Sequence, residues 1–390
     1  MSFLTLQELV AFTMTCKYAY DSKFLSQYVL LSRVVVCDGL LRWTQRTGCN
    51  LDGVSITIDI SKVHTYDAYC ACFSSNGELI IGGLDGALSI WNTHNCTVTH
   101  KIVKGHQDDV NALCALDNNW IASCSNDGSV QLWSLNDEDI TCEKVIKAHE
   151  DYDVCKIHVN KDGHLVSIGD DGWLKVWNLH TGECICKTTI RAYLEGCPLD
   201  CCILNNGIFA VVTTKGRGNP YILNCYDTSE KRLAAGNSPF VPNKEVHDGY
   251  ELFTYFYCIC ALLDCDGFVI CHSPGDPTKA QIDVYELIRI ESGDGDTKIR
   301  IDLKMVLEGN GVVIRDVTTT IKGNLVSCSY DGSITLYRRI TNFSFEPARM
   351  FQIHLQEINF VVSFPNGLGV VTGARDDRLC YTSIDEQSYS

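Results

Sequence analysis

An all-β repeat fold is predicted by three observations. First, a short apolar run, an Asp-Gly turn and a second run alternating to an aromatic residue recur along the chain. They read LIIGGLDGALSIW at 79–91, IASCSNDGSVQLW at 121–133, LVSIGDDGWLKVW at 165–177 and LVSCSYDGSITLY at 325–337. Alternation with a period of two marks a half-buried strand, and Asp-Gly between two such runs is a hairpin signal. Second, the unit is evenly spaced, with Trp91, Trp133 and Trp177 falling 42 and 44 residues apart. Third, a His stands upstream of the hairpin: His106 lies 17 residues before Ser123, and His149 lies 18 before Ser167.

A repeat of this length, with Gly-His or a similar pair before Asp-Gly…Trp, resembles the WD-repeat β-propeller family. The resemblance implies that His, strand Ser, turn Asp and Trp form a hydrogen-bonded tetrad inside each blade. The matching sets are His106, Ser123, Asp127, Trp133 and His149, Ser167, Asp171, Trp177. In both, Asp follows Ser by four and Trp follows Asp by six. A nucleophile would be built once, whereas a fold device recurs per blade, so these residues read as structural and not as a Ser-His-Asp triad.

Taken in order, the repeats number seven. Blade 1 (61–92) has His64, Asp85 and Trp91, with Ile81 where the tetrad Ser belongs. Blades 2 (98–135) and 3 (141–180) are regular. Blade 4 (184–228) is degenerate, with Arg191-Ala192-Tyr193 for Gly-His and 216–220 for the Asp-Gly turn. Blade 5 (231–288) carries Val246-His247, ends in Val284-Tyr285 and is followed by a hairpin tip at 291–296. Blade 6 (300–340) has Ser327, Asp331 and Tyr337; blade 7 (348–385) has His354, Thr372 and Asp376, with Thr382 at the Trp position. The fold class is thus a seven-bladed β-propeller over 51–390, preceded by a short helical segment. A ring must close or leave an edge strand open. The alternating stretch 55–60 is the closing strand, expected to pair with 379–384 as the outermost strand of blade 7. That topology sends residues 1–50 to the side opposite the loops that follow each His.

Residues 1–50 read as helical. Thr5-Leu6-Gln7-Glu8 fits a capping box, and Leu6, Leu9, Val10, Thr13, Met14 and Lys17 keep helical spacing. A second run at 22–35 follows. The stretch LTLQELVAFTMTCKYAYDSKFL at 4–25 resembles the C-terminal half of an F-box, carried by Leu6, Leu9, Cys16, Lys17 and Tyr20, without the usual Leu-Pro-x-Glu start. The resemblance implies a Skp-type adaptor and cullin as partners. The alternative is a helical cap on the propeller.

The chain has 48 acidic and 32 basic residues and a net charge of −16, which argues against nucleic-acid phosphate as the main partner. The 22 cysteines come without a basic n-region and apolar core at the N-terminus, so they are expected to be reduced, packed as small hydrophobes, in the cytoplasm or nucleus. No apolar run approaches the ~18 residues that span a membrane. Phosphate-loop, serine-hydrolase and zinc-protease motifs are absent. Cys258-x-Cys260 with Cys265, Cys271 and His272, and Cys184-x-Cys186 with Cys197, Cys201 and Cys202, lack Cys-x-x-Cys spacing and read as core. No cofactor, metal or enzymatic activity is expected.

Family propellers bind partners where the loops before the first strand and between the second and third emerge. Here those positions hold Tyr66-Asp67, Asp108-Asp109, Asp151-Tyr152-Asp153, Tyr193, Glu195, Asp248, Tyr250, Tyr330 and Arg375. Carboxylates and tyrosines suit a basic protein or peptide through charge steering and cation–π contact. The expected function is a non-enzymatic substrate-recognition subunit of a Skp–cullin–F-box ubiquitin ligase. The alternative is a general scaffold with no ubiquitin role.

Overall fold

The Asp-Gly hairpins form the middle pair of strands within antiparallel sheets, seven sheets among the described residues. The computed structural model describes residues 55–60, 63–91, 100–135, 140–190, 198–214, 221–229, 240–241, 250–252, 255–273, 279–291, 297–309, 313–365, 367 and 369–384. Among them all regular structure is β-strand. The helices expected within 1–50 lie outside the described residues.

Blade 1 passes from Ala68–Phe73 through Leu79–Gly83 and Ala87–Trp91 to His100–Lys104. The inner strands of blades 2 to 7 are Val110–Ala115, Val154–Val159, Pro198–Ile203, Tyr255–Ala261, Ile314–Thr319 and Ile358–Ser363. Each inner strand contacts the next, and Ile358–Ser363 returns to Ala68–Phe73, which makes a closed seven-bladed propeller. The last sheet draws its outermost strand from the other end of the chain: Ser55–Asp59 runs antiparallel to 378–382, from Ser55↔Thr382 to Asp59↔Arg378. The partner segment thus begins and ends slightly earlier than 379–384. In blade 4 two short strands, Phe240–Val241 and Tyr250–Leu252, share the outer edge. In blade 5 Gln281–Glu291 and Thr297–Glu308 pair out to Glu291↔Thr297.

The core is layered between blades. Seven apolar clusters each draw on two neighbouring sheets; Ala122, Val130 and Leu132 of blade 2, for example, pack with Val154, Ile157 and Trp177 of blade 3. A central strand therefore has two buried faces, and Leu79–Gly83 and Leu165–Gly169 are buried along their whole length.

Two devices fix how adjacent blades meet. The turn glycine of one blade accepts the main-chain N–H of the next blade's His: His106 N to Gly86 O is 3.3 Å and His149 N to Gly128 O is 3.0 Å. Gly128 sits at φ +77°, and a Cβ there would stand 2.6 Å from the His149 carbonyl, so both conformation and clearance require glycine. The second device is a β-bulge in every inner strand, where the register shifts after Ala68, Val110, Val154, Pro198, Phe256, Ile314 and Ile358. A bulge leaves one residue unpaired and re-aims its side chain. The re-aimed residues are Tyr69, Asn111, Cys155, Leu199, Tyr257, Arg315 and Asn359, and all but Cys155 line the central channel.

Candidate functional site

The hydrogen-bonded sets lie just inside the blades. In blade 2, Trp133 Nε1 donates to Ser123 Oγ at 2.8 Å, Ser123 Oγ lies 2.7 Å from His106 Nε2, and His106 Nδ1 lies 3.0 Å from Asp127. A carboxylate only accepts, so Nδ1 carries the proton and Nε2 accepts from the Ser hydroxyl. Blade 3 repeats the chain of bonds: Trp177 to Ser167 at 2.9 Å, Ser167 to His149 at 2.8 Å and His149 to Asp171 at 2.7 Å. In blade 7, Thr372 takes the Ser place, 2.8 Å from His354, which lies 3.1 Å from Asp376.

Blade 1 departs from the sequence expectation in an informative way. Ile81 does occupy the Ser position, yet the set is complete. Ser89, directly opposite Ile81 on the next strand, bonds His64 Nε2 at 2.8 Å and accepts from Trp91 Nε1 at 2.9 Å. Burial opposes ionisation of Asp85, but bonds from His64 and the Thr65 N–H outweigh it and hold the carboxyl down to about 2. Asp171 is held down to about 2 by His149 and Lys175 against the same burial, and Asp127 and Asp376 are lowered likewise.

The inner strands start at one rim, and the residues between each His and its inner strand stand there. Asp108 and Asp151 are exposed; Asp67, Asp109 and Asp153 are half-buried. Burial first, then Asp170, Asp108 and Asp109, push the Asp153 carboxyl up; burial and Asp108 do the same to Asp109. Carboxylates of blades 2 and 3 thus crowd one arc of the rim. Tyr152 rises beside them 49 % exposed, and Tyr66 is 64 % exposed. Arg375 bridges Asp67 at 3.6 Å and Glu357 at 3.0 Å, so it ties blade 7 to blade 1 and dilutes the acidity of that arc. Tyr330 stands at the turn of blade 6, partly exposed.

Tyr250 is a correction: it pairs with Leu223 in the outer edge of blade 4 and does not stand in the loop leading into blade 5. The residue that leads that inner strand is Tyr255, exposed and missed by the sequence reading. Leu355 was also missed; it follows His354 and is 84 % exposed on the same rim. Tyr193, Glu195 and Asp248, with the adaptor residues Leu6, Leu9, Cys16, Lys17 and Tyr20, lie outside the described residues.

Below the rim opens the central channel, a cavity of about 460 Å³. Its charged groups come from the residues beside the bulges. Lys156 Nζ lies 3.1 Å from Asp200, which is 7 % exposed. Asp200 also accepts the N–H of Cys201 at 3.0 Å and of Ile259, in the next blade, at 3.1 Å. Asp316 repeats the pattern, accepting Val317 N–H at 2.9 Å and Val361 N–H of blade 7 at 3.0 Å. Asn111 and Asn359 donate across blade boundaries to the carbonyls of Val154 and Ala68, each at 2.9 Å. These side chains satisfy main-chain groups of the innermost strands, which have a ladder partner on one side only. Arg315 donates to the Tyr69 hydroxyl at 3.0 Å, with its guanidinium 5.5 Å from that ring.

The described thiols are free, and burial pushes the channel thiol Cys70 up to about 12, far from a reactive thiolate. Cys258 and Cys260 do share a face, both lining the channel, whereas Cys184 is exposed because its strand, Cys184–Thr189, is an outer one. Among the described residues no group of three His, Cys, Asp or Glu side chains is placed to hold a metal ion, and no helix is long and apolar enough to cross a membrane.

Comparison with known proteins agrees with the repeat. Residues 57–92, 96–134 and 140–178 match the family described as WD domain, G-beta repeat. A search of curated proteins found no match. Among solved structures, the β-propeller domain of Cps50 (Swd1) from Myceliophteria thermophila superposes with a TM-score of 0.63. The likeness is at 13% identity and covers 83% of this chain and 98% of that one, so it speaks to the fold alone. Blades 1 to 3 thus match the WD40 repeat, and they stand in a seven-bladed β-propeller.

Proposed function

We propose that the protein is a non-catalytic interaction scaffold whose rim holds a basic segment of a partner protein. WD40 repeats in a propeller point to a protein-interaction scaffold. The observation that carries the finer reading is the arc of Asp108, Asp109, Asp153 and Asp170, in which burial first and then the neighbouring carboxylates raise the pKa of Asp109 and Asp153. A Lys or Arg side chain placed there relieves that repulsion, and Tyr152 and Tyr66 offer faces for cation–π contact. The test is binding of short Lys/Arg-rich peptides to the full chain and to its Asp108→Asn/Asp109→Asn/Asp153→Asn variant. The expected result is a salt-sensitive affinity that falls at least about tenfold in the variant. An affinity unchanged by the three substitutions defeats the reading.

The narrower role is substrate recognition within a Skp–cullin–F-box ubiquitin ligase, with Leu6, Leu9, Cys16, Lys17 and Tyr20 holding the adaptor. Its support is the F-box-like segment at 4–25, and the many thiols favour a reducing compartment, cytoplasm or nucleus. Pulldown with the full chain and with Leu6→Ala/Leu9→Ala tests it. Retrieval of a Skp-type adaptor only by the unaltered protein supports the role; its absence from both leaves the general scaffold.

A further inference from the structure

Of the residues that line the central channel, two are cations, and their situations differ. Lys156 is neutralised by Asp200 at 3.1 Å. Arg315 has no carboxylate within ion-pair distance among the described residues; it rests on the hydroxyl and ring of Tyr69. The neighbouring Asp316 carboxyl acts on it through the field only and makes no ion pair with it. Asp316 turns both oxygens to main-chain N–H groups, and burial raises its pKa. A guanidinium has five N–H donors in a planar fork, and one is used here on Tyr69. Half-buried at the end of the channel where the acidic arc lies, Arg315 is a cation awaiting an anion inside a protein whose net charge is −16.

We propose that Arg315 seats a carboxylate carried by the bound protein segment, which enters the channel mouth while basic residues on either side of it rest on the rim. The proposal rests on the scaffold reading above and adds a second, opposite charge to the ligand. One guanidinium matches one monoanion in bidentate geometry. A phosphate, with nearly two charges, would face Asp67, Asp109 and Asp153 with a single cation to meet it. The aromatic surround fits a short side chain laid flat: Tyr69 lies under the guanidinium, while Tyr257 and Leu199 line the same cavity. The carboxylate comes from an Asp or Glu side chain or from the free C-terminus of the bound segment.

The experiment is an array of short synthetic peptides made once with Lys/Arg flanks and once with neutral Ser/Gly flanks. Members differ at one central position, holding Ala, Gln, Glu or phosphoserine, and a further set ends there in a free or amidated C-terminus. The expected outcome is that the full-length protein prefers Glu over Gln, or the free terminus over the amide, at least about tenfold, and that Arg315→Gln abolishes the preference. Tyr69→Phe removes the anchoring hydroxyl but keeps the charge, so it should retain the preference. Equal binding of Glu and Gln together with equal binding of free and amidated termini, a preference for phosphoserine, or a preference that survives Arg315→Gln overturns the proposal. If anion preference holds while neutral flanks bind as well as basic ones, the rim reading fails and the Arg315 site stands. Melting curves of both variants confirm that the blades remain folded.

Discussion

Ser89 stands directly across its hairpin from Ile81, and its hydroxyl makes the bonds to His64 and Trp91 that a Ser at 81 would otherwise supply. The two positions share one face of the sheet, so the polar group moves one strand outward while the His-to-Trp series of bonds stays intact.

Replacing Ser89 with Ala should therefore cost what Ser123→Ala or Ser167→Ala costs. Each removes the hydroxyl that a buried His nitrogen and a Trp N–H share, a loss of about 1–3 kcal/mol. Urea denaturation checks it. A Ser89→Ala midpoint equal to that of the unaltered protein would show that the swapped hydroxyl contributes nothing.

The tetrad carboxylates make stability depend on acid. Asp85 and Asp171 titrate at about 2 in the folded protein, against an ordinary value of 3.8. A depressed folded pKa gives stability that is present above the unfolded value and lost as pH falls through the folded one. The loss should run from pH about 5 down to about 2 and amount to roughly 2 kcal/mol per carboxylate. His149, whose pKa is lowered by burial, adds to the same trend below its ordinary value, because the unfolded state takes up the proton more readily. Unfolding followed across this range should show Asp85→Asn/Asp171→Asn less stable at neutral pH and flatter in acid. Parallel profiles would contradict the assignment.

The tetrads of blades 2 and 3 were legible because they are local: His, Ser, Asp and Trp keep fixed spacings and the Asp-Gly turn signals itself, whereas in blade 1 the hydroxyl sits off that spacing, at Ser89. The channel was not. Its residues come from seven inner strands, and each bulge shifts the side chains by one place, so a period-two reading misassigns the faces of Lys156, Asp200 and Arg315. A signal was present: buried apolar residues three apart, as in Val154 with Ile157, Ile314 with Val317 and Ile358 with Val361, mark the extra residue. The acidic rim residues were found because they follow each His. Tyr255 and Leu355 were not, because blade 5 lacks a regular lead-in and a Leu on a loop carries no polar signature.

The Lys156–Asp200 pair should respond unequally to its two truncations. Asp200→Ala strands Lys156 and frees the N–H groups of Cys201 and Ile259. Lys156→Met leaves Asp200 with both main-chain donors. A broken buried pair costs about 3–5 kcal/mol, less here because the Lys156 side chain is 37% exposed to the channel. Chemical denaturation should rank Asp200→Ala well below Lys156→Met. The reverse order would mean that the ion pair, and not the inter-blade N–H bond, holds blades 4 and 5 together.

Closure of the ring depends on five residues far from the last blade in sequence. Ser55–Asp59 supplies the outer strand of blade 7, Ile60 N–H donates to the Asp377 carbonyl at 2.9 Å, and the Ile60 side chain is buried with Val63, Trp91, Phe360 and Leu379. Removing residues 1–50 leaves all of this in place. Removing 1–62 withdraws the strand, bares the edge of Arg378–Ser383 and empties the Ile60 site, whose burial alone is worth about 1.5–3 kcal/mol. An exposed edge strand pairs with other molecules. The first truncation should melt like the full-length protein and elute from size-exclusion chromatography in the same oligomeric state. The second should melt lower and aggregate on concentration. Identical melting of the two would mean that the strand at 55–59 does not hold the ring shut.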